Sequence, residues 1–224
     1  MKLLVAGDSF TYGHNLKDRH LNSWPNVLSK RLGYQLIDKS SPGVSNQYII
    51  NTVLETLQEQ EVNNVIIGFT DISRYELFQN NSKVQVIPNK RIVQNPEVDE
   101  YDNLYLRNFY NEEYVLKNFI AQVMMLEAFL KTKKINYILF NAFGNRKVLI
   151  EHHKKVGIDL LDSTTFLGWP YDDMNTLTEN FKRLPCGHPD VEAHTFWADM
   201  LYDFLNDKAQ FKFKFKQLTG RDYQ

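Results

Sequence analysis

Three short stretches of this 224-residue chain concentrate side chains that can move protons or attack electrophiles. Asp8-Ser9 sets a carboxyl beside a hydroxyl, Thr70-Asp71 does so in reverse order, and Cys186-Gly187-His188 places a thiol two residues from an imidazole. A serine hydroxyl is a weak nucleophile until a base accepts its proton. A neutral imidazole is the side chain suited to that near neutral pH. These residue types suit nucleophilic attack, and such chemistry requires no cofactor. A metal competes for the same region, because Cys186, His188 and His194 are close in sequence and His152-His153 add two more candidate ligands. Neither a C-x-x-C pair nor H-E-x-x-H appears, and His194 falls on the apolar face of a helix, so no metal is assigned. A dinucleotide site fits less well, since residues 7–13 read Gly-Asp-Ser-Phe-Thr-Tyr-Gly rather than G-x-G-x-x-G.

The elements that must position these groups alternate. The apolar runs at 3–6 and within 64–69 have the form of strands buried on both faces; 34–38 and 135–140 are further candidate strands, with a weaker fifth at 158–161. Between them, Ser23-Trp24-Pro25 opens a helix that Gly33 closes, and Ser45 caps one whose stripe is Ile49, Ile50, Val53, Leu54 and Leu57. Further helices are expected over 112–131 and 189–205. This order predicts a three-layer α/β/α sandwich with a five-stranded, mainly parallel sheet. Ligands bind at the carboxyl ends of strands in such sheets, which is where Asp8-Ser9 and Thr70-Asp71 fall. Residues 75–111 break the rhythm and read as an insertion, with a hairpin pairing 84–87 with 91–93. Its tyrosines, Tyr75, Tyr101, Tyr105 and Tyr110, suit either stacking on a cyclic substrate group or packing against the domain.

Composition bounds the rest. With 26 basic and 27 acidic residues the net charge is -1, so no nucleic-acid partner is expected. No apolar run reaches about 18 residues, which predicts no membrane insertion. The apolar run near the N-terminus is too short for a signal-peptide core, and one cysteine cannot form an internal disulfide; both favour a cytoplasmic location. A single domain is expected over 1–206, followed by a β-like tail at 207–224. In that tail Phe211 to Lys216 alternate strictly, which as a strand puts three phenylalanines on one face. Burial of that face against the chain's own domain ranks first, a homodimer through the tail second, and a foreign partner third. As an edge strand, the tail is expected to pair with the insertion hairpin.

The blocks together resemble the SGNH (GDSL-type) hydrolase family. Gly7-Asp8-Ser9-Phe10 after the first strand is similar to its nucleophile block, and Ser41-Pro42-Gly43 to its second. Gly68-Phe69-Thr70-Asp71 resembles the third, and Gly187-His188-Pro189 the last. The resemblance implies Ser9 as nucleophile, His188 as base, and an oxyanion hole from the amides of Ser9 and Gly43 with the Thr70 hydroxyl. It also places Asp8, Asn46 and Asp71 as supporting or substrate-proximal residues. Two positions depart from the family: Thr70 stands where an asparagine is usual, and Pro185 where an aspartate precedes the histidine by three. A Ser9–His188 dyad is therefore expected rather than a triad, with a backbone carbonyl or a distant carboxylate holding the ring; Cys186 is not expected to replace the aspartate. The implied reaction is cleavage of a small-molecule or glycan ester, or acyl transfer through the same intermediate. A binding or structural module with a decayed site is the alternative. Each residue also has a plainer use: Ser9 as a helix cap, Gly43 as a turn glycine, Thr70, Asp71 and Asp8 as backbone caps, Asn46 in helix-start solvation, His188 as a loop residue, and Arg74 as a partner of Glu76 or Asp71.

Overall fold

The computed structural model describes residues 1–79, 82–86, 108, 110–144, 146–156, 161 and 164–223. Five strands form one sheet: β1 (Lys2–Gly7), β2 (Gln35–Asp38), β3 (Asn64–Phe69), β6 (Asn136–Asn141) and β7 (Phe166–Leu167). Their order is β2-β1-β3-β6-β7 and every pairing is parallel. The order reverses direction beside β1, and the carboxyl ends of β1 and β3 lie together there, with Gly7 opposite Gly68. A crevice at such a reversal is where doubly wound sheets bind ligands.

The central strands are apolar because both faces are covered. In β1, Leu4 and Ala6 enter one core while Leu3 and Val5 enter the other. The first core is filled from α4 (Asn46–Glu59), α5 (Glu112–Thr132) and α6 (Arg146–Val156). The second is filled from α3 (Trp24–Leu32) and α8 (Val191–Asn206). Each fully buried large aliphatic or aromatic side chain contributes about 1.5–3 kcal/mol, so these two layers fix the strand ends that carry the polar residues. Short helices α1 (Ser9–Tyr12), α2 (Arg19–Asn22) and α7 (Met174–Leu177) complete the connections. Among the described residues no helix is long and apolar enough to cross a membrane.

Three expectations change. The fifth strand is Phe166–Leu167, two residues paired with Leu139 and Phe140. Of the expected 158–161, Leu161 is outside any strand and the others lie outside the described residues. The hairpin in the 75–111 region pairs β4 (Tyr75–Gln79) with β5 (Ser82–Val86), antiparallel. The partner of residues 84–86 of the expected run is thus upstream, and Ile87 lies outside the described residues. Residues 91–93 lie outside the described residues, as do Tyr101 and Tyr105.

The tail is the third correction: it is a helix, α9 (Lys208–Thr219), not an edge strand. Asp207 caps it by accepting the Gln210 amide at 3.0 Å, and Gly220 ends it at φ 69°. Phe211 and Phe215 are four apart, so a helix puts both on one face, and both are buried against the domain. Phe213 points away and is 58% exposed. The Phe211 ring meets Phe204 of α8 and Tyr223, each at 4.9 Å. Two capping signals and an i,i+4 aromatic pair outweigh the period-two alternation.

Candidate active site

Ser9 is set by the way β1 ends. Asp8 leaves the strand in extended conformation and caps α1, its Oδ1 accepting the Phe10 amide at 3.0 Å. Ser9 is therefore the first residue of a four-residue helix that Gly13 closes at φ 73°. The turn sits down on the sheet because two facing residues lack side chains. A Cβ on Gly7 would lie 2.2 Å from Thr11 Oγ1, and one on Gly68 would lie 2.6 Å from the same atom. This use of two glycines in register is invisible until β1 and β3 are paired. Among the described residues, neither the amide nor the hydroxyl of Ser9 has a hydrogen-bond partner. The loop after β2 is tied to the same place by the Ser41 amide, which donates to the Gly7 carbonyl at 3.0 Å. Gly43 in that loop is left-handed, at φ 78°.

Beneath Ser9 lies a buried polar cluster. The Thr70 hydroxyl donates to Asp8 Oδ2 at 2.8 Å, and Arg74 Nη1 stands 3.5 Å from the same oxygen. Arg74 also donates to the Val44 carbonyl at 3.4 Å and stacks on Phe143. Burial raises the Asp8 carboxyl above its ordinary range, against the pull of Arg74, Thr70 and the Phe10 and Thr11 amides. Burial likewise lowers Arg74, opposed by Asp8 and Asp71. The sequence suggested Asp71 or Glu76 as the partner of Arg74; the contact observed is with Asp8, a pairing that only the tertiary fold creates. Thr70 gives its one hydroxyl proton to Asp8, which diverts it from an oxyanion. Asn46 clamps the Thr70 peptide, accepting its N–H at 2.8 Å and donating to its carbonyl at 3.0 Å. Asp71 accepts the Ser73 amide at 2.8 Å, a strand-end cap.

His188 arrives on a tight turn. The Gly187 amide donates to the Leu184 carbonyl, and the Leu184 amide to the His188 carbonyl, each at 2.8 Å. Pro185, at the second position of this turn, has the backbone angle such turns require. It is exposed and acts as a turn former where the family resemblance would put a carboxylate. The His188 ring packs 5.3 Å from Phe10 and 5.1 Å from His14, at the two ends of the Ser9 helix. Among the described residues no hydrogen bond joins it to Ser9. Its Nδ1 lies 3.3 Å from Cys186 Sγ. That contact was missed from sequence, although Pro185 and Gly187 flanking Cys186 signal a turn that folds residues 186 and 188 together.

Two residues on, Asp190 caps α8 by accepting the Ala193 amide at 2.9 Å, and Glu192 is exposed in the first turn. His194 is in the core, where its Nδ1 accepts the Trp24 amide at 3.2 Å. Burial first, then the nearby charges of His188 and Arg183, lower its pKa to about 3, so it is neutral.

A family model described as "Family of unknown function (DUF6071)" matches residues 11–211. The chain belongs to the DUF6071 family. No curated protein matches this DUF6071 chain. Solved structures do. A lipolytic-family G-D-S-L protein from Desulfitobacterium hafniense DCB-2 is 16% identical with TM-score 0.50, covering 91% of this chain and 98% of its own. TesA is 13% identical with TM-score 0.54, covering 92% and 98%. The psychrotrophic esterase EstA from Pseudoalteromonas sp., seen inhibited by monoethylphosphonate, is 14% identical with TM-score 0.51, covering 91% and 96%. This DUF6071 chain therefore has the α/β/α fold of the SGNH (GDSL-type) proteins.

Proposed function

We propose that the chain is a serine hydrolase of the SGNH type that cleaves an acyl or acetyl ester, with Ser9 as nucleophile and His188 as base. The observation that carries this reading is convergence: the histidine turn near the C-terminal helices packs onto the short helix that begins at Ser9. In the reaction Ser9 Oγ attacks the carbonyl carbon and His188 takes its proton. The tetrahedral oxyanion is met by the Ser9 amide and, as the resemblance implies, the Gly43 amide. Collapse expels the alcohol, which takes the proton back from His188, and water then releases the acid by the same route. In this reading the hydrogen bond between nucleophile and base forms once substrate binds, as catalytic contacts often do in empty sites.

A short-chain aryl ester and a serine-directed phosphonate test this. Turnover and labelling are expected in the wild type and lost in Ser9→Ala, and turnover lost in His188→Ala. Labelling that persists in Ser9→Ala would remove Ser9 as nucleophile. The engagement of Thr70 with Asp8 favours one other reading, a binding module on the same fold, and absence of both turnover and labelling across acetylated sugars and simple lipids would select it. Transfer of the acyl group to an added alcohol instead of water would mark an acyltransferase.

A further inference from the structure

An imidazole that accepts a proton at Nε2 must carry its own proton on Nδ1, and a neighbour that accepts this Nδ1–H fixes the tautomer and the ring plane. Pro185 has no acceptor in its side chain, and the carboxylates nearest in sequence are otherwise placed: Asp190 caps α8 and Glu192 is exposed. Beside Nδ1 lies the sulfur of Cys186, at 3.3 Å. Backbone geometry imposes this contact. The turn closed by Leu184 and Gly187, with Gly187 at φ 83°, brings residues 186 and 188 to the same side. Phe10 and His14 wall the ring at 5.3 and 5.1 Å and limit its rotation.

We propose that Cys186 is the positioning residue for His188, its sulfur accepting the Nδ1–H hydrogen bond and so leaving Nε2 unprotonated for the Ser9 proton. The inference rests on the serine-hydrolase reading for its catalytic consequence, but the contact itself does not. Sulfur is a weaker acceptor than a carboxylate oxygen, so it orders the ring without fully balancing the charge of an imidazolium. Its loss should therefore cost about two- to tenfold in turnover, the range of an ordinary hydrogen bond. Loss of a triad carboxylate costs about 10⁴-fold. A carboxylate supplied at the same position should do better than the thiol.

The test uses the whole chain with Cys186→Ala and Cys186→Asp. Cys186 is exposed, so neither should alter the melting temperature. Long-range ¹H–¹⁵N imidazole spectra, recorded where the ring is neutral and assigned by difference against His188→Gln, should show the Nδ1–H tautomer in the wild type. That preference should vanish in Cys186→Ala. Ester kinetics should show kcat lowered about two- to tenfold with KM unchanged, and restored or raised in Cys186→Asp. An identical His188 spectrum in wild type and Cys186→Ala overturns the proposal, as does an unchanged kcat in a protein whose turnover depends on Ser9. If Ser9→Ala leaves turnover intact, the hydrolase reading falls, while the spectra still decide whether sulfur holds the ring.

Discussion

Two histidines six positions apart occupy opposite environments. His188 sits on a turn, half-buried, between rings that leave it at the edge of the molecule. His194 is on the second turn of α8, 1% exposed, with its Nδ1 bonded to a backbone amide across the second core. The difference lies in what each can exchange. A buried imidazole with a satisfied nitrogen is held in one protonation state across the neutral range, so it packs and cannot shuttle protons. A half-exposed imidazole on a short turn keeps that freedom at the cost of needing a local partner to orient it.

Substitution at each histidine should separate these roles. His188→Ala should reduce ester turnover by about 10²–10⁴-fold with little change in melting temperature, whereas folded His194→Ala should keep its kinetics; comparable turnover losses in both would erase the contrast. A buried charge gives the next largest effect. Arg74→Met leaves the Asp8 carboxyl buried without its cation and should cost about 3–5 kcal/mol in urea unfolding. The double variant with Asp8→Asn should lose less than Arg74→Met alone, and a simple sum would show that the two do not interact. His194→Ala removes the acceptor of the Trp24 amide and opens a cavity, which should cost about 2–4 kcal/mol on the same unfolding curve.

The smallest effect is the dependence of stability on acid. In the folded chain the pKa of His194 is about 3, against 6.5 for the ordinary imidazole. Between those values the unfolded chain binds more protons. The contribution of His194 is therefore fully present above pH 6.5 and is lost as the pH falls toward 3, with a slope of at most about 1.4 kcal/mol per pH unit. His194→Asn keeps an acceptor for Trp24 and does not titrate, so its stability profile should be flatter by one proton over this window. An equal slope in both proteins would mean that His194 is already charged when folded.

Much of the frame was legible because burial on both faces leaves an unbroken apolar run. The runs of β1, β3 and β6 show this, and Ser45 reads as a cap because its hydroxyl does accept the Tyr48 amide, at 3.1 Å. Strand β7 was not legible, since two residues carry no period. The tail misled for a different reason: in Phe-Lys-Phe-Lys-Phe, residues 211 and 215 satisfy a strand and a helix equally, and only Asp207 and Gly220 separate the two. At the site, the order of Ser9, Gly43, Thr70 and His188 along the chain could be read, and the fold brings their elements to the carboxyl end of the sheet. The partners could not be read. That Thr70 and Arg74 both turn to Asp8 depends on how β1 and β3 align, and nothing local encodes it.

Gly7 and Gly68 take no part in any chemistry, yet every other residue at either position would thrust an atom into Thr11. In a saturation-mutagenesis library scored only for activity, both glycines would look as intolerant as Ser9, the proposed nucleophile. Scoring abundance alongside activity would pull them apart, because collisions lower the amount of folded protein whereas Ser9→Ala does not. For a family without an assigned function, such a two-channel map distinguishes positions intolerant because they react from those intolerant because there is no room.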